Sequence, residues 1–404
     1  MTDASSILAG GARRDPSEET QDQIVVLGGG PSLELFLQDL HARYGAFTLL
    51  DVDPNAPGRK WSHGFFPASI YDFEACRKAL DAVITPRSRL LTFATGPAGN
   101  VCCRLGEAFG LPRRSEKLAA AATDKKVLSD LLANNGMLVP RQVLLHNGGL
   151  NPEELDGLTF PAVLKPLHGG GGRDVRSVSS AGEAVRLCSR TNRPFLLQEK
   201  LAGREELLWL IVRDGRVAAL LHGENLFDAE SGWTSPIGLA LERIALEDEV
   251  PPRWAGLATQ LISAFDLKDD FIVAELIAGE RGNTVIDVEL NGLSGFACSA
   301  VMEDNLLASL LVDTYLQRDF SGPATAGWVS CMAFFAAPNP EALKRMAERA
   351  ARLGSCAVES PRNISKLECF GAMVYKGGYL IVTDARDLAD AADKARGLLR
   401  EVSR

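Results

Sequence analysis

The sequence predicts an α/β protein: a parallel sheet in the N-terminal part, a strand-rich α+β core and a small α+β lobe at the C-terminal end. Three observations carry this. From Gln23 onward, short apolar runs alternate with helix-spaced segments, the pattern of parallel strands joined by crossover helices. A strand-like run ends in four consecutive glycines, Gly169, Gly170, Gly171 and Gly172. From Gln198 strand-like segments dominate, interrupted by one helical stretch from Trp254 to Phe265.

Gln23 to Leu27 is a buried-type strand stopped by Gly28-Gly29-Gly30-Pro31. Ser32 can cap a helix through Tyr44, with Leu33, Leu37 and Leu40 at helical spacing. A strand from Phe47 to Leu50, a helix from Phe73 to Leu80 and a strand from Arg89 to Phe93 continue the alternation. They predict helices on both faces of the sheet. The three glycines lack GxGxxG spacing and read as a structural turn. Asp51 and Asp53 stand at the carboxyl end of the sheet, with no role assigned to them.

Leu111-Pro-Arg-Arg-Ser115 reads as a linker leading to an alanine-rich helical segment. Thr123 is the expected N-cap of a helix from Asp124 to Asn134, which Gly136 ends and Pro140 keeps from restarting. Arg141 to about Leu197 carries a strand, the glycine loop and a helix. The end of the chain reads strand, helix, strand, strand, helix: Val329–Phe335, Glu341–Leu353, Leu367–Val374, Tyr379–Thr383 and Leu388–Leu399. The expected organisation is a polar tail (1–22), an N-terminal domain (23–115), a core (116–325, with a lid subdomain at about 141–197) and a C-terminal lobe (326–404).

With 404 residues, 46% hydrophobic and 24% charged, the chain is of ordinary globular composition and long enough for two or three domains. A net charge of -9 argues against nucleic acid or an anionic membrane as partner. No apolar run reaches membrane-spanning length, and the tail lacks a signal-peptide core. Eight cysteines without CxxC spacing read as free thiols. The expectation is a soluble, cytoplasmic protein.

The chemistry concentrates in four places. Asp124-Lys125 opens a helix. Lys165 ends a strand just before the glycines, whose backbone N–H groups can approach phosphate oxygens while the lysine supplies a held charge. Gln198-Glu199-Lys200-Leu201-Ala-Gly203-Arg-Glu205-Glu206 joins two strands by a hinge able to read adenine through its backbone, with a carboxylate beyond it for ribose hydroxyls. Finally, Glu275 lies on one strand and Asp287, Glu289 and Asn291 on the next, with Arg281-Gly-Asn283 as the turn. Residues two apart share a face, so these oxygens converge as hard cations require.

In this order the motifs resemble the ATP-grasp superfamily, nearest to its carboxylate–amine ligases such as L-amino acid ligase and biotin carboxylase. The resemblance runs from about Ile24 to the C-terminus. It rests on Ala122-Thr123-Asp124-Lys125 with Gly136-Met-Leu-Val-Pro140, on Lys165 with its glycine loop, and on Glu275 with Glu289-x-Asn291. It implies a parallel-sheet domain preceding a two-lobed ATP-grasp core. Lys125 and Lys165 would hold ATP phosphates under the glycine loop, and Glu199, Lys200 and Leu201 would line the adenine hinge. Glu205 or Glu206 would bind ribose. Glu275, Glu289 and Asn291 would hold magnesium, for which manganese can substitute, and Lys165, Glu289 and Asn291 would serve catalysis.

The implied activity is ADP-forming ligation of a carboxylate to an amine through an acyl phosphate, on small amino-acid-like substrates, in a homodimer. The alternatives are a carboxyphosphate-forming or purine-pathway enzyme, or an ATP-binding regulator without turnover. One departure bears on the substrate: many relatives carry an arginine two residues after the asparagine, where this chain has Leu293. Arg243 and Arg362 are the candidates to replace it.

Overall fold

The structure, a computed structural model, describes residues 23–404 except 31–32, 95–96, 147–154, 156, 170–173, 192, 228–236, 247–249, 291–305, 317–327, 362–363 and 370–371. Strands β1 (Gln23–Leu27), β2 (Phe47–Asp51), β3 (Ser62–Pro67) and β4 (Ser88–Thr92) form a parallel sheet of order β3-β2-β1-β4. Alternation along β1 sends Ile24 and Val26 to one face, against Phe36, Leu37 and Leu40 of α1 (Glu34–Tyr44). Val25 and Leu27 go to the other, against Cys76 and Leu80 of α2 (Phe73–Leu80) and Val101 and Leu105 of α3 (Ala98–Phe109). Helices thus cover both faces, as expected of a parallel sheet. α1 begins at Glu34 with Leu33 at its N-cap position and no capping side chain; Ser32, the expected cap, lies outside the described residues.

The glycine turn after β1 is tied to the end of β2. The Gly29 N–H donates to Asp51 Oδ2 at 2.7 Å, and Oδ1 of the same carboxylate accepts from the Asp53 N–H.

Helices α4 (Glu116–Ala121) and α5 (Lys125–Asn134) follow. The cap of α5 is Asp124, whose carboxylate accepts from Lys126 N and Val127 N. Thr123, the expected cap, instead donates backward to the carbonyls of Ala119 and Ala120, because its hydroxyl still belongs to the preceding turn. The stretch 111–115 is no loose linker either. Arg114 is buried, with Nε 2.7 Å from Asp270 Oδ1 and Nη1 2.6 Å from the Leu290 carbonyl.

A second, antiparallel sheet of order β5-β8-β6-β7 contains β5 (Gln142–Leu145), β6 (Ala162–Pro166), β7 (Arg176–Val178) and β8 (Phe195–Glu199). Ala184 and Cys188 of α6 (Ala181–Cys188) close its core with Leu145, Leu164 and Leu197.

The largest sheet is antiparallel, of order β13-β12-β9-β10-β11-β14-β17-β15, with β16 paired to β17. Its strands are β9 (Arg204–Arg213), β10 (Arg216–Leu226), β11 (Gly238–Leu246), β12 (Asp270–Gly279), β13 (Gly282–Glu289), β14 (Val329–Ala337), β15 (Ala357–Glu359), β16 (Ser365–Cys369) and β17 (Ala372–Val382). Leu208, Leu210 and Ile272 face α4, α5 and α7 (Pro252–Phe265). Leu207, Trp209 and Val273 face the other way, toward Leu310 and Leu311 of α8 (Leu306–Leu316). The final strands join this sheet through β11 and β14, and α9 (Pro340–Leu353) with α10 (Leu388–Ser403) closes a core of its own there. The expected strands Leu367–Val374 and Tyr379–Thr383 are recut as β16 and the long β17. No helix among the described residues is long and apolar enough to cross a membrane.

Candidate active site

The candidate site lies where the second sheet meets the β12–β13 edge of the large one. Glu275 pairs in register with Asp287, and Val273 with Glu289. Paired residues share a face, so Glu275, Asp287 and Glu289 project together. The register slips between Glu275 and Leu276, leaving Ile286 as a bulge residue. The slip sends Val285, Val288 and Leu290 into the core on the opposite face.

The bulge residue also offers its carbonyl to the second sheet. Lys165, buried at the end of β6, donates from Nζ to the Ile286 oxygen at 3.0 Å. Lys125, the first residue of α5, lies 2.9 Å from Asp287 Oδ2 and donates to the Gly169 carbonyl at 2.9 Å. Its backbone N–H donates to the Leu167 carbonyl, satisfying one of the open donors of the helix start. His168 Nδ1 contacts the Thr123 carbonyl at 2.9 Å, so the base of the glycine loop is tied to α5 at several points. Gly169 has φ +123°, a conformation glycine reaches without strain. Gly170, Gly171, Gly172 and Asn291 lie outside the described residues, as do Leu293 and Arg362.

Two lysines from separate elements are thus brought to the carboxylates. Burial holds Lys165 below its ordinary pKa; Lys125 adds to this, while Asp287, Glu275 and Glu205 oppose it. Burial, then repulsion from Glu289, Asp287 and Glu205, holds Glu275 well above the ordinary range. Glu289 is pushed up to about 7 by burial and the charge of Asp287. Burial and mutual repulsion thus make the charged forms of Glu275 and Glu289 costly on this face. Among the described residues no three His, Cys, Asp or Glu side chains form a complete metal site.

The hinge separates its residues. Glu199 Oε1 accepts from the Arg141 N–H at 3.0 Å and from Arg281 at 2.9 Å, so this carboxylate clamps β8 to the β5 side and to the β12–β13 turn. Lys200 is exposed and Leu201 half-buried in the connection to β9. Gly203 passes so close to β12 that a Cβ there would stand 2.4 Å from the Ala278 carbonyl.

Of the two ribose candidates, the fold brings only Glu205 to this face. Glu205 follows the parity of Leu207 and Trp209, and its Oε1 accepts from Asn225 at 2.8 Å. Burial holds its carboxyl above the ordinary range. Glu206 lies on the reverse face, where it engages His222 at 3.1 Å and Arg204 at 2.9 Å. Arg243 is buried on β11, four strand spacings or roughly 19 Å from β13, so it does not stand beside Glu289. Sequence reading gave Asp287 no site role beyond its position, although its spacing to Glu289 placed it on the same face. Arg114, bonded to the Leu290 carbonyl beside Glu289, was missed because its partners lie more than 150 residues away.

No protein-family model matches the chain, and no curated protein matches it by sequence. Its likeness to solved structures is extensive. An ADP complex of N5-carboxyaminoimidazole ribonucleotide synthetase shares 16% identity over 93% of this chain and 96% of that one, with a TM-score of 0.69. The carboxyaminoimidazole ribonucleotide synthase of Aspergillus clavatus, complexed with ATP, shares 17% over 95% and 99%, with a TM-score of 0.71. The L-amino acid ligase of Bacillus licheniformis shares 14% over 95% and 97%, with a TM-score of 0.68. Over nearly its whole length, the chain has the fold of the ATP-grasp ligases.

Proposed function

We propose that this protein is an ADP-forming ligase that joins a carboxylate to an amine through an acyl phosphate, on amino-acid-like substrates. One observation carries the reading: Lys125 of α5 and Lys165 of β6 meet Glu275, Asp287 and Glu289 at the junction of two sheets.

A carboxylate resists amine attack because an oxide would have to leave. Transfer of the ATP γ-phosphoryl group to the carboxylate oxygen releases ADP. The amine then attacks the acyl carbon and expels phosphate. In this reading Lys125 and Lys165 hold the phosphates, and the loop from Gly169 to Gly172 excludes water from the acyl phosphate. Glu199, Lys200 and Leu201 form the adenine hinge, and Glu205 rather than Glu206 binds ribose because it shares the cleft face. Glu275, Glu289 and Asn291 would hold magnesium, with manganese able to substitute, and the ion offsets phosphate charge when bound. The same reading expects small-molecule substrates only, without nucleic acid or membrane, and a cytoplasmic homodimer, whose size sedimentation would give.

A second reading is a carboxyphosphate-forming enzyme of purine type, favoured by the two carboxyaminoimidazole enzymes whose fold it shares. Release of ADP and phosphate from Mg-ATP separates the two. Amino acids are offered singly and in pairs, and bicarbonate is offered with an aminoimidazole ribonucleotide. Release requiring a particular amino acid and raised by a second supports the first reading. Release only with bicarbonate and the ribonucleotide supports the second. Absence of ATP binding by calorimetry would remove both.

A further inference from the structure

We propose that Asp287 stands in for a nucleotide phosphate on Lys125 and thereby makes nucleotide binding depend on a divalent cation. The inference rests on the ligase reading above and concerns a residue to which that reading gives no role.

Asp287 Oδ2 lies 2.9 Å from Lys125 Nζ, and the same ammonium donates to the Gly169 carbonyl at 2.9 Å. An ammonium has three hydrogens, so two of the three on Lys125 are committed before any ligand arrives. Asp287 Oδ1 accepts from the Val288 N–H at 3.0 Å, which fixes the carboxylate in place. Register sets Asp287 across from Glu275 and on the same face as Glu289. A phosphate reaching Lys125 must therefore displace the Asp287 carboxylate and then lie beside it, with Glu275 and Glu289 on the same face. Metal-free ATP meets that repulsion in full, whereas the cation of a metal–ATP complex offsets it. Asp287 thus raises the cost of the wrong ligand form more than that of the right one, which is selection by repulsion.

The test is calorimetric binding of ATP, with magnesium and separately with a chelator, to the wild type, Asp287→Asn and Asp287→Glu. Asp287→Asn is expected to bind metal-free ATP about tenfold tighter than the wild type, narrowing the gap between the two conditions. Asp287→Glu, which keeps the charge, is expected to retain the wild-type gap. Should Asp287→Asn fail to give a cooperative melt, Asp287→Ser takes its place with the same expectation. Unchanged or weaker metal-free binding in the folded neutral variant would overturn the inference and leave the ligase reading standing. A wild type that binds ATP under neither condition would remove both.

Discussion

Lys165 on β6 donates to the carbonyl of Ile286, the extra residue of the β13 bulge, at 3.0 Å. One irregularity in a strand thus orients a buried lysine of the second sheet toward the carboxylate edge of the large sheet.

Lys165→Met is expected to fold, losing about 1 kcal/mol through the unpartnered carbonyl. It is expected to reduce ADP formation by about a hundredfold or more, since the lost charge stabilises transferring phosphate. Urea denaturation and turnover, measured on the same preparation, check the two halves separately.

Chelation of magnesium is expected to abolish ADP formation. Glu289→Gln is expected to raise the half-saturating magnesium concentration for nucleotide binding by about tenfold. An unaltered magnesium requirement in this variant would remove Glu289 from the metal site.

His222 has Nε2 3.1 Å from Glu206 and Nδ1 2.8 Å from Glu242, so the protonated ring can donate to both carboxylates. Burial pulls its pKa down, but the hydrogen bonds and charges of the two carboxylates outweigh this and hold it above its ordinary value of 6.5. The stabilisation is therefore complete below pH 6.5 and is lost as pH rises through the higher folded value. As pH rises from below 6.5 through the higher folded value, unfolding free energy is expected to fall more steeply in the wild type than in His222→Gln. Parallel slopes for the two proteins would contradict this.

Arg114 and Asp270 form an ion pair at 2.7 Å whose side chains are 3% and 4% exposed. Arg114→Met leaves the Asp270 charge buried and is expected to cost about 3 kcal/mol or more. Arg114→Met with Asp270→Asn is expected to recover part of the loss. Urea midpoints of the single and double variants test this coupling.

The lysine before the glycines, the Glu275 and Glu289 strands and the α/β alternation of the first ninety residues could all be read along the chain. Each depends on neighbours within a few positions, through backbone propensity or side-chain parity. The cap at Asp124 rather than Thr123 marks the limit of that reading. Both residues can cap, and the preceding turn decides which hydroxyl or carboxylate is free.

The choice between Glu205 and Glu206 shows what local pattern could not supply. The strand that follows them, Leu207 to Val212, is apolar on both faces, so alternation alone cannot tell which face carries the site. Pairing with β10 and β12 set the faces, turning Glu205 toward the lysine cleft and Glu206 toward His222. Arg114 is the same case over a longer reach, since its carbonyl partners become neighbours only when β12 and β13 pair. The types of chemistry in the cleft followed from the residues and their spacing; which side chains meet there followed from sheet register, a relation between segments distant along the chain.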